Sequence, residues 1–286
     1  MKIFRTLFFS GCLLLACFCC SSPSSKATLL GIKDFSVYPE TGYKEIIDFI
    51  NQATSSIDIV VYEFKDDKIA DELVAAKDRG VKVRIMLDDH GSNIEEKNHL
   101  ESLGLDVKFG NPKYVSTQQK TLIVDVFTKE SKALILTFNF EPLSFTKSRD
   151  FSILLTNVNA VREIYYVFNS DWNREASEGG YPGLVWSPDN ARDEIFGLIK
   201  YAEHSIDIYG TYLEDEQIEQ LLIRAVQNGI KVRALYSPMH RYYGGMNKAA
   251  MRGVEIRLSK SIFINGKAIL VDKNQAFVGS QNLLTT

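Results

Sequence analysis

A chain of 286 residues, 45% apolar and 24% charged, is long enough to bury a sizeable core in one or two domains. Its formal charge of -3, with no run of Lys or Arg, lacks the basic field that non-specific nucleic-acid binding needs. The cysteines, Cys12, Cys17, Cys19 and Cys20, all lie near the start, so the remainder of the chain can form neither a disulfide framework nor a Cys metal site.

Residues 1–20 read as a leader. Lys2 and Arg5 form a short basic region, and the apolar run at 7–16 is too short to span a bilayer. It ends at Leu14-Leu15-Ala16-Cys17, which resembles a bacterial lipobox. Cleavage there would leave Cys17 as a lipid-modified first residue, and the protein is then expected to be exported and membrane-anchored as a cell-envelope lipoprotein. An ordinary cleaved signal peptide or an uncleaved anchor is the plainer alternative. Residues 21–29, opening Ser21-Ser22-Pro23-Ser24-Ser25, read as a flexible tether.

The rest of the chain is an internal duplication. Ser56-Ile57-Asp58-Ile59-Val60 recurs as Ser205-Ile206-Asp207-Ile208-Tyr209, and Gly80-Val81-Lys82-Val83-Arg84 as Gly229-Ile230-Lys231-Val232-Arg233. Amphipathic stretches precede each first segment (43–53 and 192–202) and separate each pair (67–79 and 216–228). Gly80 and Gly229 are the expected helix stops. Then come a helix, a short strand at 106–109, and a hairpin over 120–127 and 132–139; the second copy repeats the strands at 255–257, 267–271 and 275–278. The predicted fold is α/β: two similar lobes, each a mixed, mostly parallel sheet flanked by helices, at 30–175 and 184–286, with a linker at 176–183. The first copy continues through a strand at 151–156 and a helix ending near Trp172, which the second lacks, so that lobe is expected to be C-terminally incomplete. Trp172 and Trp186 are expected between the copies.

Each copy carries the same polar pattern. The first reads Gln118-Gln119-Lys120-Thr121-Leu122-Ile123-Val124-Asp125, then Thr137-Phe138-Asn139. The second reads Asn265-Gly266-Lys267-Ala268-Ile269-Leu270-Val271-Asp272, then Gly279-Ser280-Gln281-Asn282. The apolar residues place each Lys at the start of a strand and each Asp at its end. Both stretches resemble the HxKxxxxD…G[ST]xN motifs of the phospholipase D superfamily, and nearly all of the chain beyond the tether is similar to bacterial phospholipase D-like proteins. The resemblance implies phosphodiester chemistry through two histidines. One attacks phosphorus and the other protonates the leaving oxygen, with no metal or cofactor required. Carried over, Lys120, Lys267, Thr137, Asn139, Ser280 and Asn282 would bind the phosphate. Asp125 and Asp272 are the motif aspartates, counted with the catalytic set, and Asp150 matches an acidic residue that orients a histidine.

Both histidine positions are amides here, Gln118 and Asn265. An amide neither titrates near neutral pH nor serves as a useful nucleophile. Removing the nucleophile from a cooperating set costs on the order of a million-fold in the subtilisin case from which the figure is taken. The leading expectation is therefore a degenerate phospholipase D-like protein, a pseudoenzyme that holds a phosphate or phospholipid head group without cleaving it. The second is an active phosphodiesterase (a phospholipase D, a cardiolipin synthase-like enzyme or a nuclease) with a non-standard site or one completed by a second copy in a homodimer. The third is a non-functional truncated product. Nucleic acid fits the charge balance less well than lipid. His90 and His240 follow equivalent strands, where α/β sites form, and are candidate replacements for the missing imidazoles; solvated loop histidines are the plainer reading. Arg241-Tyr242-Tyr243 and Tyr165-Tyr166 are candidate stacking surfaces, against ordinary partial packing.

Overall fold

The computed structural model describes residues 16–17, 26–238 and 244–284. The first half runs β1 (Ala16–Cys17), α1 (Lys26–Leu30), β2 (Ile32–Tyr38), α2 (Lys44–Asn51), β3 (Ser56–Val61), α3 (Asp67–Asp78), β4 (Lys82–Leu87), α4 (Asn93–Ser102), β5 (Asp106–Phe109), β6 (Thr121–Val124), β7 (Lys132–Leu136), α5 (Pro142–Thr146), β8 (Ser148–Leu155) and α6 (Val158–Asn173). The second runs α7 (Ala191–Lys200), β9 (Ser205–Tyr209), α8 (Glu216–Gln227), β10 (Lys231–Tyr236), α9 (Gly244–Met251), β11 (Glu255–Leu258), β12 (Phe263–Ile264), β13 (Lys267–Val271) and β14 (Gln275–Gly279).

Local chemistry sets the repeated unit. The Asp66 carboxylate accepts the Ile69 N–H at the start of α3, and Asp215 accepts those of Gln217 and Ile218 at the start of α8. Gly80 and Gly229, at φ +92° and +83°, turn the chain left-handed after each helix, as their type favours. The next strands then lie parallel to their predecessors: Ser56 pairs with Lys82 and Ser205 with Lys231. Ile57 to Val61 are buried without alternation, as befits a strand covered on both faces.

Each lobe has one mixed sheet. The first is ordered β5-β4-β3-β6-β7-β8, and β2 and β12 both pair with β8; the second is ordered β11-β10-β9-β13-β14-β1. Parallel order within each lobe is confined to β3-β4-β5 and β9-β10-β11; the hairpins are antiparallel, so the sheets are less parallel than expected. β12 belongs to the second half but lies parallel to β8 of the first, with Phe263 opposite Ser148 and Ile264 opposite Arg149. This crossing, and an apolar core running from Ile123, Ile153 and Trp172 to Trp186, Leu198 and Phe277, join the lobes. Trp172 and Trp186 both belong to that shared core, and the Trp186 indole N–H donates to Glu163 on α6. Tyr165 packs against Phe127 and the Arg84 guanidinium. Tyr166 is exposed. Residues 239–243, with His240 and Arg241-Tyr242-Tyr243, lie outside the described residues, as does most of the leader. Ala16 and Cys17 pair with Ala276 and Gln275.

Candidate functional site

The lysines of the two repeated motifs are brought together where the lobes meet. Lys120 immediately precedes β6 and Lys267 begins β13; they are 4% and 6% exposed. Burial, and then the neighbouring Lys267, push the Lys120 ammonium down to about 7. Burial pushes Lys267 down to about 8, opposed by Asp150 and Glu141. Asp150, Asp88 and Glu141 pull Lys120 back towards its charged form, and burial together with the second cation outweighs them.

Asn265 is delivered to this place by the crossing strand. Its N–H and that of Gly266 both donate to the Arg149 carbonyl, at 3.2 and 2.7 Å. A Cβ on Gly266 would stand 2.6 Å from the Phe151 ring, so the turn needs glycine for its close approach to β8. Asn265 then engages both ends of its amide. Nδ2 donates to Asp150 Oδ1 at 3.0 Å, and Oδ1 accepts from Lys267 Nζ at 2.8 Å. Asp150 is fully buried and also accepts from the hydroxyls of Thr137 (2.7 Å) and Ser148 (2.6 Å). Burial pushes its carboxyl up, against the pull of Lys267 and those hydrogen bonds. The acidic residue expected to orient a histidine thus reaches position 265, across the lobes.

The two cations are not equivalent. Lys267 donates to the carbonyls of Asn265 (2.6 Å) and Thr137 (3.3 Å) as well as to the Asn265 amide, which occupies its three N–H groups. Among the described residues Lys120 donates to the Gln118 carbonyl, at 3.2 Å, and lies 5.5 Å from the centre of the Tyr62 ring. Lys120 is the cation with donors to offer. Gln118 turns its amide to Ser116 Oγ at 2.8 Å, and Ser116 in turn donates to Asp88 at 2.9 Å.

The other expected residues divide. Asn139 donates to Glu141 at 3.3 Å, and among the described residues the buried Oδ1 atoms of Asn139 and Asn282 have no hydrogen-bond partner. Ser280 is buried. The Thr137 hydroxyl donates to Asp150 and accepts the Phe151 N–H, so it braces that carboxylate against β8. Asp125 and Asp272 stand apart from the lysines, at the far ends of β6 and β13. Asp125 accepts the backbone N–H groups of Thr54, Ser55 and Ser56, and Asp272 those of Glu203, His204 and Ser205. Burial works against both charges, but these donors hold both carboxyls below the usual range. Each pins the start of its lobe's first parallel strand.

Sequence reasoning missed the acidic rim. Glu141 follows Asn139 by two residues, and burial and a hydrogen bond with Glu63 push its carboxyl up. Asp88 and Glu63 follow β4 and β3, at the strand ends where sites form; that position was the available signal. Among the described residues no group of three or more His, Cys, Asp or Glu side chains is placed to hold a metal. A cavity of about 520 Å³, lined by Lys97, Lys108, Phe109, Trp172 and Arg174, lies at the outer β5 edge and contains neither motif lysine.

A family model described as "Cardiolipin synthase, PLD-like domain" matches residues 46–172 and 195–286. The cardiolipin synthase of Clostridium perfringens is 25% identical over 84% of this chain and 61% of its own length. Cardiolipin synthase 2 of Bacillus anthracis is 26% identical over 84% of this chain and 56% of its own. The chain therefore spans about 60% of these relatives. In fold it is similar to the polyphosphate kinase of Porphyromonas gingivalis (TM-score 0.67, 16% identity, 88% of this chain and 46% of that one). It is also similar to the phosphatidylserine synthase of Haemophilus influenzae (TM-score 0.58, 13% identity, 85% and 76%).

Proposed function

This chain belongs to the phospholipase D superfamily, and we propose that it is a degenerate member whose pocket holds the phosphate of a phosphodiester, such as a phospholipid head group, without cleaving it. The observation that carries this reading is the unequal state of the two lysines. Asn265 closes onto Asp150 and Lys267, while Lys120 remains buried with donors to offer. An anion beside Lys120 relieves the repulsion between the two cations and supplies the charge that burial removed from water. It meets no imidazole at 118 or 265 to attack it or to protonate a leaving oxygen. The relatives named as cardiolipin synthases support a lipid rather than a nucleic-acid ligand. The leader supports an exported lipoprotein anchored through Cys17, which would hold the pocket beside phospholipid head groups. Metabolic labelling with palmitate checks the anchor: label retained by Cys17→Ser would remove it from the proposal.

The function is tested by assaying the full chain and its Gln118→His/Asn265→His double variant on a chromogenic phosphodiester and on phosphatidylcholine. The expected result is no turnover by the parent and measurable turnover by the double variant. Clear turnover by the parent contradicts the reading.

A further inference from the structure

Two loops flank the lysine pocket in equivalent ways, one from each lobe. Lys120 and Lys267 lie where β3 and β9 end, since Thr121 pairs with Val60 and Ala268 with Tyr209. The chain reaches each motif through a loop tied twice to a neighbouring strand. In the first lobe the Gly110 N–H donates to the Leu87 carbonyl at the end of β4 (2.7 Å), and the Thr117 N–H to Asp88, the next residue. In the second lobe the Ser259 N–H donates to the Tyr236 carbonyl at the end of β10 (2.8 Å), and the Ile264 N–H to Ser237, the next residue. Both segments turn apolar side chains to solvent. Val115 is fully exposed, and Leu258 and Phe263 are 42% and 37% exposed. Each also exposes a lysine, Lys113 in one and Lys260 in the other. Neither residues 110–119 nor residues 257–266 hold an Asp or Glu, in a chain whose acids outnumber its bases. The exposed acids Asp89 and Glu95 lie on the loop and helix after β4, outside both stretches. Beside Lys120 the wall is aromatic: His90 stacks on Tyr62 with centroids 4.6 Å apart, and Lys120 approaches the Tyr62 ring.

We propose that these two loops are the membrane-contacting rim of the pocket, entering the head-group layer of a phospholipid bilayer so that a head group reaches Lys120. The inference rests on the phosphate-pocket reading above and names the source of its ligand. Lys120 is 4% exposed, so a phosphate still tied to acyl chains reaches it only when the mouth is pressed to the bilayer surface. Val115, Leu258 and Phe263 gain by leaving water at the boundary between head groups and acyl chains. Lys113 and Lys260 lay their stems along that boundary and keep their ammonium groups among the phosphates. Three such side chains give a shallow, reversible contact rather than a span. Single exposed apolar residues are ordinary on protein surfaces, and Phe127, two residues after Asp125 at the opposite end, is one. What marks this set is its repeated placement, on the same loop of both lobes, around a buried cation.

The test is hydrogen exchange of the full chain, read by mass spectrometry, with and without vesicles of phosphatidylcholine and phosphatidylglycerol in equal parts. Exchange is expected to slow in residues 110–117 and 257–264. It should stay unchanged in the turns at 127–131 and 272–275, at the opposite ends of the sheets. Because the readout is local, a leader that holds the chain on the vesicle does not mimic the result. Val115→Asp, at a fully exposed position where folding is spared, is expected to lose about tenfold of the slowing in its loop. Its affinity for glycerophosphoglycerol in solution, read by calorimetry, should match the parent's. Loops that exchange equally with and without vesicles, or far turns that slow as much as the loops, overturn the rim. Slowing that Val115→Asp leaves intact overturns it as well. In these cases glycerophosphoglycerol binding by the parent leaves the phosphate-pocket reading standing. Absence of that binding overturns the pocket reading, and this inference with it.

Discussion

Asn265 makes the hydrogen bond to Asp150 that an imidazole N–H could make, and it returns an oxygen to Lys267. It keeps the geometry of the second motif while supplying neither a nucleophile nor a titrating proton. Gln118 is held differently, by a hydroxyl that leans on Asp88. In the proposed reading Lys120 is the residue on which binding turns. Lys120→Met should weaken phosphodiester affinity by more than about tenfold, since of the two motif lysines it removes the one with donors to offer. The same variant should stabilise the empty protein by about 2 kcal/mol, because a methionine of similar length removes a buried and repelled charge. Urea unfolding checks the second effect and calorimetry the first. A variant that binds normally would mean that Lys267, with its three bonds, carries the anion instead.

At the scale of elements, the motif aspartates are fastenings. Asp125 gathers three backbone N–H groups where β3 starts, together with the hydroxyls of Thr54 and Ser55. Asp125→Asn cannot accept all of them and should cost about 3 kcal/mol in urea unfolding, with phosphodiester affinity of the folded protein unchanged. Because its carboxyl is held below the usual range, its contribution is present above about pH 4 and is lost as pH falls through its folded value. A large loss of affinity without loss of stability would return Asp125 to the site. The repeated strands and helices were legible in the sequence because apolar spacing and the paired Gly stops repeat. The lysines and Asp150 were legible because strand-start and motif positions mark them. β2 was not, since Ile32-Lys33-Asp34-Phe35-Ser36-Val37-Tyr38 has no clean alternation and is defined by its pairing with β8. β12 was not legible either, being two residues recognisable only by the strand they join. Asp88, Glu63, Glu141 and Ser116 reach the pocket through contacts distant in sequence, which local pattern cannot show.

For the whole molecule, the shared core and the β12 crossing make the pocket a property of both lobes together. Its electrostatics should be visible in global stability. The folded values of Lys120 and Lys267 are depressed to about 7 and about 8, so the unfolded chain binds more protons than the native one above those values. The penalty of the two buried charges is fully present below about pH 7 and is relieved as pH rises towards about 10, where unfolded lysines titrate. Stability of the empty protein should therefore climb over that window, and saturating phosphodiester should flatten the climb by keeping the lysines charged. Urea midpoints across pH, with and without ligand, check both; a stability that falls from about pH 7 to 9 in the empty protein would contradict the buried-cation account.

The most direct measurement is phosphorus NMR of the full chain mixed with glycerophosphoglycerol, followed over a day, because one spectrum reports binding and cleavage together. The account predicts a phosphodiester resonance broadened or shifted by the parent, unperturbed by Lys120→Met, and no phosphomonoester signal. A growing monoester resonance in the parent, or a diester signal the parent leaves untouched, would contradict it.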